Sequence, residues 1–181
     1  MRDNDVSTYT SILTAAFDVF SQNPGASLAD VAAHAGVGRA TLHRHFAGRD
    51  DLMRALAKQA MSELNAAVAN ATVDAPSYTE ALRLTLHAVL PLAHRQMFLA
   101  HDIVKDAELQ ASYDDSRKET EHAIDMAKSE GGFDAAVPTP WIATAFDHLI
   151  YAGWGMVIAD ELTAKQAADL AWRTLTNGVT Q

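Results

Sequence analysis

The sequence predicts an all-α protein, and three observations predict it. Apolar residues recur at helical spacing along the chain, and no segment carries the two-residue period of a strand. Caps of Ser, Thr and Gly, with prolines near first turns, divide the chain into about nine helices. The stretch from Ser27 to Phe46, SLADVAAHAGVGRATLHRHF, has the form of two short helices joined by a glycine-marked turn. The expected layout is a three-helix unit over 1–48, a connecting fourth helix over 49–72, and a larger helical unit over 73–181.

The first helix is predicted from the stripe Ile12, Leu13, Ala16, Phe17 and Phe20, and it stops at Asn23, Pro24 and Gly25. Ser27 caps the second, accepting from the backbone near Asp30, whose charge suits the positive helix end. Leu28, Val31, Ala32 and Ala35 form its apolar face. Gly36 supplies the left-handed residue that ends it, and Gly38 caps the third helix. On a helical wheel Leu42 and Phe46 point inward, while Ala40, Thr41, His43 and Arg44 point outward with Arg39 and His45 at the border. Gly48 then caps a long fourth helix from Arg49 to about Ala71, with Asp51 in its first turn and Leu52, Leu56, Leu64 and Val68 along its stripe.

The remaining helices follow from the same signals. Asp74, Ala75 and Pro76 end the fourth, and Ser77 with Glu80 forms a capping box for a fifth along Leu82, Leu86 and Leu90. Pro91 breaks that helix or starts a sixth reaching about Val104. A polar seventh runs from Ala107 to Glu130, where Gly131 and Gly132 stop it. Thr139 and Pro140 provide a cap and first-turn proline for an eighth reaching Ala159, and Thr163 with Gln166 caps a ninth.

The outward face of the third helix carries the chemistry. Arg offers bidentate contacts to guanine or charge to phosphate, Thr a hydroxyl and a methyl, and the small Ala40 lets the backbone come close to base edges in a major groove. The formal charge of −9 argues the other way until it is divided by region. Residues 1–58 hold six basic and six acidic side chains, so the whole excess lies in the rest of the chain. Because the bases concentrate between Arg39 and Lys58, a locally positive end can face DNA while the acidic body faces away.

With these residues in view, the N-terminal segment resembles the DNA-binding domain of the TetR family of transcriptional repressors. The resemblance is carried by Ile12-Leu13 with Ala15-Ala16-Phe17, by Ser27 to Ala32, by Ala35 to Phe46, and by Arg49-Asp50-Asp51-Leu52. It covers about the first sixty residues; beyond them only helical layout and length agree. It implies a homodimer, DNA reading by the third helix, and a small-molecule pocket in the C-terminal half whose occupation releases DNA. On this basis Ser27, Thr41, His43 and Arg49 are assigned to phosphate, Arg39, Ala40 and Arg44 to base edges, with Gly38 and His45 beside them. The family usually has Tyr where this chain has His43, which reaches phosphate more strongly when protonated. It commonly has Lys at Arg49, and its N-terminal arm is often more basic than Met1 to Asp5.

The second half is then expected to bind an effector and to dimerise. Trp141, Ala145, Phe146, Leu149, Ala152, Gly153 and Val157, facing Ala167, Leu170, Ala171, Thr174 and Leu175, give surfaces suited to a four-helix bundle across a two-fold axis. A two-fold protein also meets half-sites about 34–36 Å apart on DNA. Met97, Phe98, His101, Phe133, Phe146, Tyr151, Trp154 and Met156 supply the aromatic and polarizable surface common in small-ligand sites, though such stripes also build cores.

Other classes of function find weaker support. His87, His94 and His101 fall seven residues apart, and His101-Asp102 with Asp147-His148 resembles the ligands of all-helical metal phosphohydrolases of the HD type. On one continuous helix the outer two histidines would stand roughly 21 Å apart, too far to share an ion unless Pro91 folds the chain back. No metal, catalytic residue or cofactor is expected. A helical protein-interaction module would leave the run of Arg39, Arg44 and Arg49 without a purpose. The absence of cysteine excludes disulfides, thiolate zinc sites and cysteine nucleophiles, and it fits a reducing cytoplasm. No signal-like apolar run or membrane span is read in the sequence.

Overall fold

Nine α-helices and one 3-10 turn account for most of the described residues, which contain no strand. They are α1 (Asp3–Gln22), α2 (Leu28–His34), α3 (Arg39–His45), α4 (Arg49–Thr72), α5 (Tyr78–Val89), the turn Leu90–Leu92, α6 (Ala93–Leu99), α7 (Ala107–Ser129), α8 (Thr139–Ile158) and α9 (Ala164–Val179). The computed structural model describes residues 3–99 and 107–179, and the side chains of 7–96 and 107–177.

Local chemistry sets the first turns. Ser27 and Asp30 close a reciprocal capping box: the Ser27 hydroxyl accepts from the Asp30 N–H, and the Asp30 carboxylate accepts from the Ser27 N–H at 2.8 Å. These bonds, from the Ser27 hydroxyl first, hold the Asp30 carboxyl below its usual pKa. Gly36 sits at φ +67, a conformation that would strain any residue with a Cβ. Gly38 caps α3 and Gly48 caps α4, where the Asp51 carboxylate reaches back to the Ala47 N–H at 2.9 Å.

Two expected caps form differently. The Ser77 hydroxyl accepts from the Glu80 N–H, but Glu80 does not reach back, because its carboxylate is gripped by Arg83. The open N–H groups of Tyr78 and Thr79 are instead met by the Glu130 carboxylate beyond the end of α7. At α8 the cap is Pro138 and not Thr139, whose hydroxyl bonds Asp125 and accepts from Lys128 at 2.8 Å. Those two contacts tie α8 to α7. Thr163 and Gln166 do form the expected reciprocal pair before α9.

Apolar side chains gather into two clusters. The first joins α1, α2 and α3 to the N-terminal half of α4, through Ile12, Phe17, Phe20, Leu42, Phe46, Leu52 and Leu56, and takes in Leu109 of α7. Burying Leu42 and Phe46 contributes about 1.5–3 kcal/mol each, which fixes the roll of α3 about its own axis. The second joins α5 to α7, α8 and α9, with Leu86, Leu90, Ile124, Ile142 and Phe146 at its centre, and Leu64 and Val68 of α4 pack against it. One rigid helix, α4, thus enters both clusters. In the second, Gly153 lets α8 approach the turn after α5, since a Cβ there would collide with the Leu90 side chain.

Candidate functional site

The N-terminal head displays α3. With Leu42 and Phe46 anchored in the core, Arg39, Ala40, His43 and Arg44 are exposed and Thr41 is half-buried. No acidic residue lies in the first turn of α3, and His43, Arg44 and His45 crowd its last. An exposed, acid-free helix face held by a packed opposite face can enter a groove without rearranging.

Three residues expected on that surface are engaged in the head itself. Arg49 lies over the Phe20 ring, 4.2 Å from its centroid, while its guanidinium donates to the carbonyl of Ala26 at 2.6 Å and to that of Pro24. It therefore latches the loop before α2 onto the start of α4, which differs from the phosphate contact expected for it. Ser27 is exposed, but its hydroxyl both donates to and accepts from Asp30 within the cap. His45 turns inward from the wheel border: its ring lies 6.3 Å from that of Tyr9, which itself stacks on Phe46, and its Nε2 is buried without a hydrogen-bond partner.

A cavity of about 850 Å³ opens between α4, α5, α7 and α8. Met61, Leu64 and Val68 of α4 form one wall, Leu82 and Val89 of α5 another, and Tyr113, Arg117 and Thr120 of α7 with Phe146, Asp147, Ile150, Tyr151 and Trp154 of α8 complete it. Its size, and a lining that mixes apolar side chains with polar ones including Arg117, Glu119, Glu130 and Asp147, are those of a small-molecule site. Trp154 is fixed by its indole N–H, which donates to the Val89 carbonyl at 2.9 Å, and it meets the Tyr151 ring edge-on at 5.4 Å. The hydroxyls of Tyr113 and Tyr151 bond to each other, and burial together with that bond pushes the Tyr113 pKa well above the usual phenol value. Burial also raises the Asp147 carboxyl, against the pull of nearby Arg117. From α6, buried Gln96 lines the cavity and donates to the Ala60 carbonyl of α4.

The expected effector residues divide. Phe146, Tyr151 and Trp154 line the cavity. Phe133 does not; it is core, packed edge-on against Trp172. Met156 is surface, 39% exposed. The side chains of Met97 and Phe98, and the whole of His101, lie outside the described residues. What the sequence reading missed is the wall from α4, together with Gln96, Tyr113, Arg117 and Asp147. Polar residues inside otherwise amphipathic helices were the available signal.

The expected dimer faces divide too. Phe146, Gly153, Ala167, Ala171 and Leu175 are buried within the single chain, because α8 and α9 pack on each other and on α5. Trp141 and Leu170 remain outside, at 66% and 41% exposure. The histidines scatter: His87 pairs with Asp169 at 3.2 Å, and His148 Nδ1 lies 2.8 Å from the Thr144 carbonyl. Among the described residues no three His, Asp or Glu side chains gather as a metal-holding group, and no helix is long and apolar enough to cross a membrane.

Residues 12–56 match the family described as bacterial regulatory proteins, tetR family. The chain is 33% identical, over 95% of its length and 90% of the relative's, to the HTH-type transcriptional repressor LfrR of Mycolicibacterium smegmatis. It superimposes on the crystal structure of LfrR in complex with proflavine with a TM-score of 0.79 and 32% identity, covering 96% of this chain and 97% of that one. A further crystal structure of LfrR gives a TM-score of 0.62 at 29% identity, covering 94% and 99%. A head built around an exposed basic helix thus agrees with a one-third identity that extends over nearly the whole chain, and the chain belongs to the TetR family of transcriptional regulators.

Proposed function

We propose that this regulator is a repressor that binds a palindromic operator as a homodimer and leaves it when a small molecule fills the cavity. The observation that carries the proposal is α4, one continuous helix that supports the DNA-reading head with its first half and walls the cavity with its second. In the head, Arg39, Ala40 and Arg44 read base edges while Thr41 and His43 hold phosphate. Arg49 acts indirectly, by keeping the head in shape.

The dimer reading rests on the apolar surface left on α8 and α9, where Trp141, Met156, Ile158 and Leu170 face outward. A second copy related by a two-fold axis covers such a face and sets the two α3 helices at half-site spacing.

Release follows from displacement of α4. Gln96 joins the cavity lining to the backbone of α4, and neighbouring Arg95 grips Glu63 of α4 at 2.6 and 2.9 Å while stacking over Phe17 of α1. A ligand that pushes on this junction tilts α4 and alters the separation of the heads. A few kcal/mol of differential affinity between the two states suffices.

The test is a titration of operator duplex with protein, followed by addition of proflavine, the molecule in the relative's crystal. Two protomers per duplex and dissociation on adding proflavine are expected. One protomer per duplex contradicts the dimer, and a complex indifferent to proflavine bound in the cavity contradicts release.

A further inference from the structure

One end of the cavity carries an uncompensated negative charge. Asp147 lines the cavity with its side chain 32% exposed, and its ion-pair partner is Arg117, whose Nη1 stands 3.5 Å away. That guanidinium is held more closely elsewhere: its Nε donates to Glu121 at 3.0 Å, and its Nη2 donates to the Thr144 hydroxyl at 2.9 Å. One cation between two carboxylates leaves one negative charge over, and of the two Asp147 lines the cavity; Glu119 and Glu130 line it too, and Glu130 is taken up by the N–H groups of Tyr78 and Thr79. Nothing among the described residues donates a hydrogen bond to it.

The surfaces nearby are aromatic. Tyr113 and Tyr151 are joined through their hydroxyls, and Tyr151 leads to Trp154 and Phe146 deeper in the same cavity. A carboxylate beside ring faces and edges recognises a flat molecule carrying positive charge, through ion pairing at one point and stacking or cation–π contact over the rest.

We propose that Asp147 selects the charge of the effector, so that the cavity takes planar aromatic cations in preference to neutral or anionic molecules of the same shape. This rests on reading the cavity as the effector site. A neutral ligand covers the Asp147 carboxylate and leaves it buried with only a share of Arg117 to balance it. An anion meets it directly, and Arg117 cannot turn to compensate without leaving Glu121 and Thr144. The cation instead supplies the missing charge.

Three isosteric probes test this by fluorescence titration of the full-length protein at pH 8: 9-aminoacridine, a cation; acridine, neutral; and acridine-9-carboxylate, an anion. The protein is expected to bind 9-aminoacridine about tenfold or more tighter than acridine, and the carboxylate weakest. Asp147→Asn removes the preference, by weakening 9-aminoacridine and leaving acridine bound as tightly as before or tighter, and Asp147→Glu retains it. Equal affinity for cation and neutral probe, or a preference that survives Asp147→Asn, overturns charge selection and leaves the cavity standing as a ligand site. Binding of none of the three by protein that still binds operator duplex overturns the proposal, and takes with it the reading of the cavity as a site for aromatic effectors.

Discussion

The side-chain amide of Gln96 donates to the backbone carbonyl of Ala60 at 2.8 Å, inside the protein and at the rim of the cavity. Gln96 is the one polar side chain among the buried described residues, 8% exposed, and its bond pins α6 to the middle of α4. A ligand that moves Gln96 moves the helix that carries the head.

Gln96→Met keeps the volume and removes this bond. The Ala60 carbonyl stays within α4, so the cost in stability is about 1 kcal/mol. Operator affinity and ligand affinity are expected to stay within a few-fold of the parent by the rough standard of a single lost neutral bond, while the ligand concentration needed for release rises. Unchanged release, measured by anisotropy of labelled duplex, removes Gln96 from the coupling route.

Arg49 and Arg44 should part company under substitution. Arg49→Ala removes two bonds to carbonyls and a stacked cation from the head, and is expected to destabilise it by about 2–3 kcal/mol. Arg44→Ala, on the exposed face of α3, costs less in urea unfolding than Arg49→Ala but lowers specific DNA affinity by about 1–3 kcal/mol. Equal unfolding midpoints for the two variants refute the division of labour.

Those two arginines also show what the sequence can and cannot tell. Caps and stripes are matters of residues three or four apart, so Ser27 with Asp30, Gly36, and Leu42 with Phe46 were legible, and with them the head and its exposed helix. Partners distant in the chain were not. Nothing near Arg49 announces that Pro24 and Ala26 will be its acceptors, and Glu80 forsakes its local cap for Arg83 while Glu130 arrives from fifty residues away. Most of the cavity lies in this second class, although Phe146, Tyr151 and Trp154 of its lining were legible. Five helices line it, and an aromatic residue at helical spacing looks the same whether it becomes core, as Phe133 does, or lining, as Trp154 does.

Asp147→Asn is expected to leave stability unchanged or to raise it by up to about 1 kcal/mol at neutral pH. Burial raises the folded-state pKa of Asp147 above its unfolded value, so the native state holds that proton more tightly. Stability from this group is therefore complete below the unfolded pKa and declines as pH rises through the raised folded one. Melting curves of both proteins should converge toward acid pH and separate toward neutral, with the variant at or above the parent. A variant less stable than its parent at neutral pH means that the pair with Arg117 outweighs the burial of the charge.

Gly153→Ala places a methyl against the Leu90 side chain, which is itself fully buried. The overpacking is expected to cost about 1–3 kcal/mol, and Leu90→Ala in the same chain should recover part of it in a double-mutant cycle. Strict additivity of the two changes in denaturant unfolding contradicts the contact.

The most direct measurement is equilibrium binding of the purified protein to a duplex covering the DNA beside its own gene, across a salt series, with Arg44→Ala alongside. A DNA-reading regulator should prefer that duplex to a random one by about 10³ or more, with log affinity falling linearly in log salt and the substitution weakening binding. Affinity equal to that for random duplex at every salt concentration, from protein with a normal unfolding curve, contradicts the account.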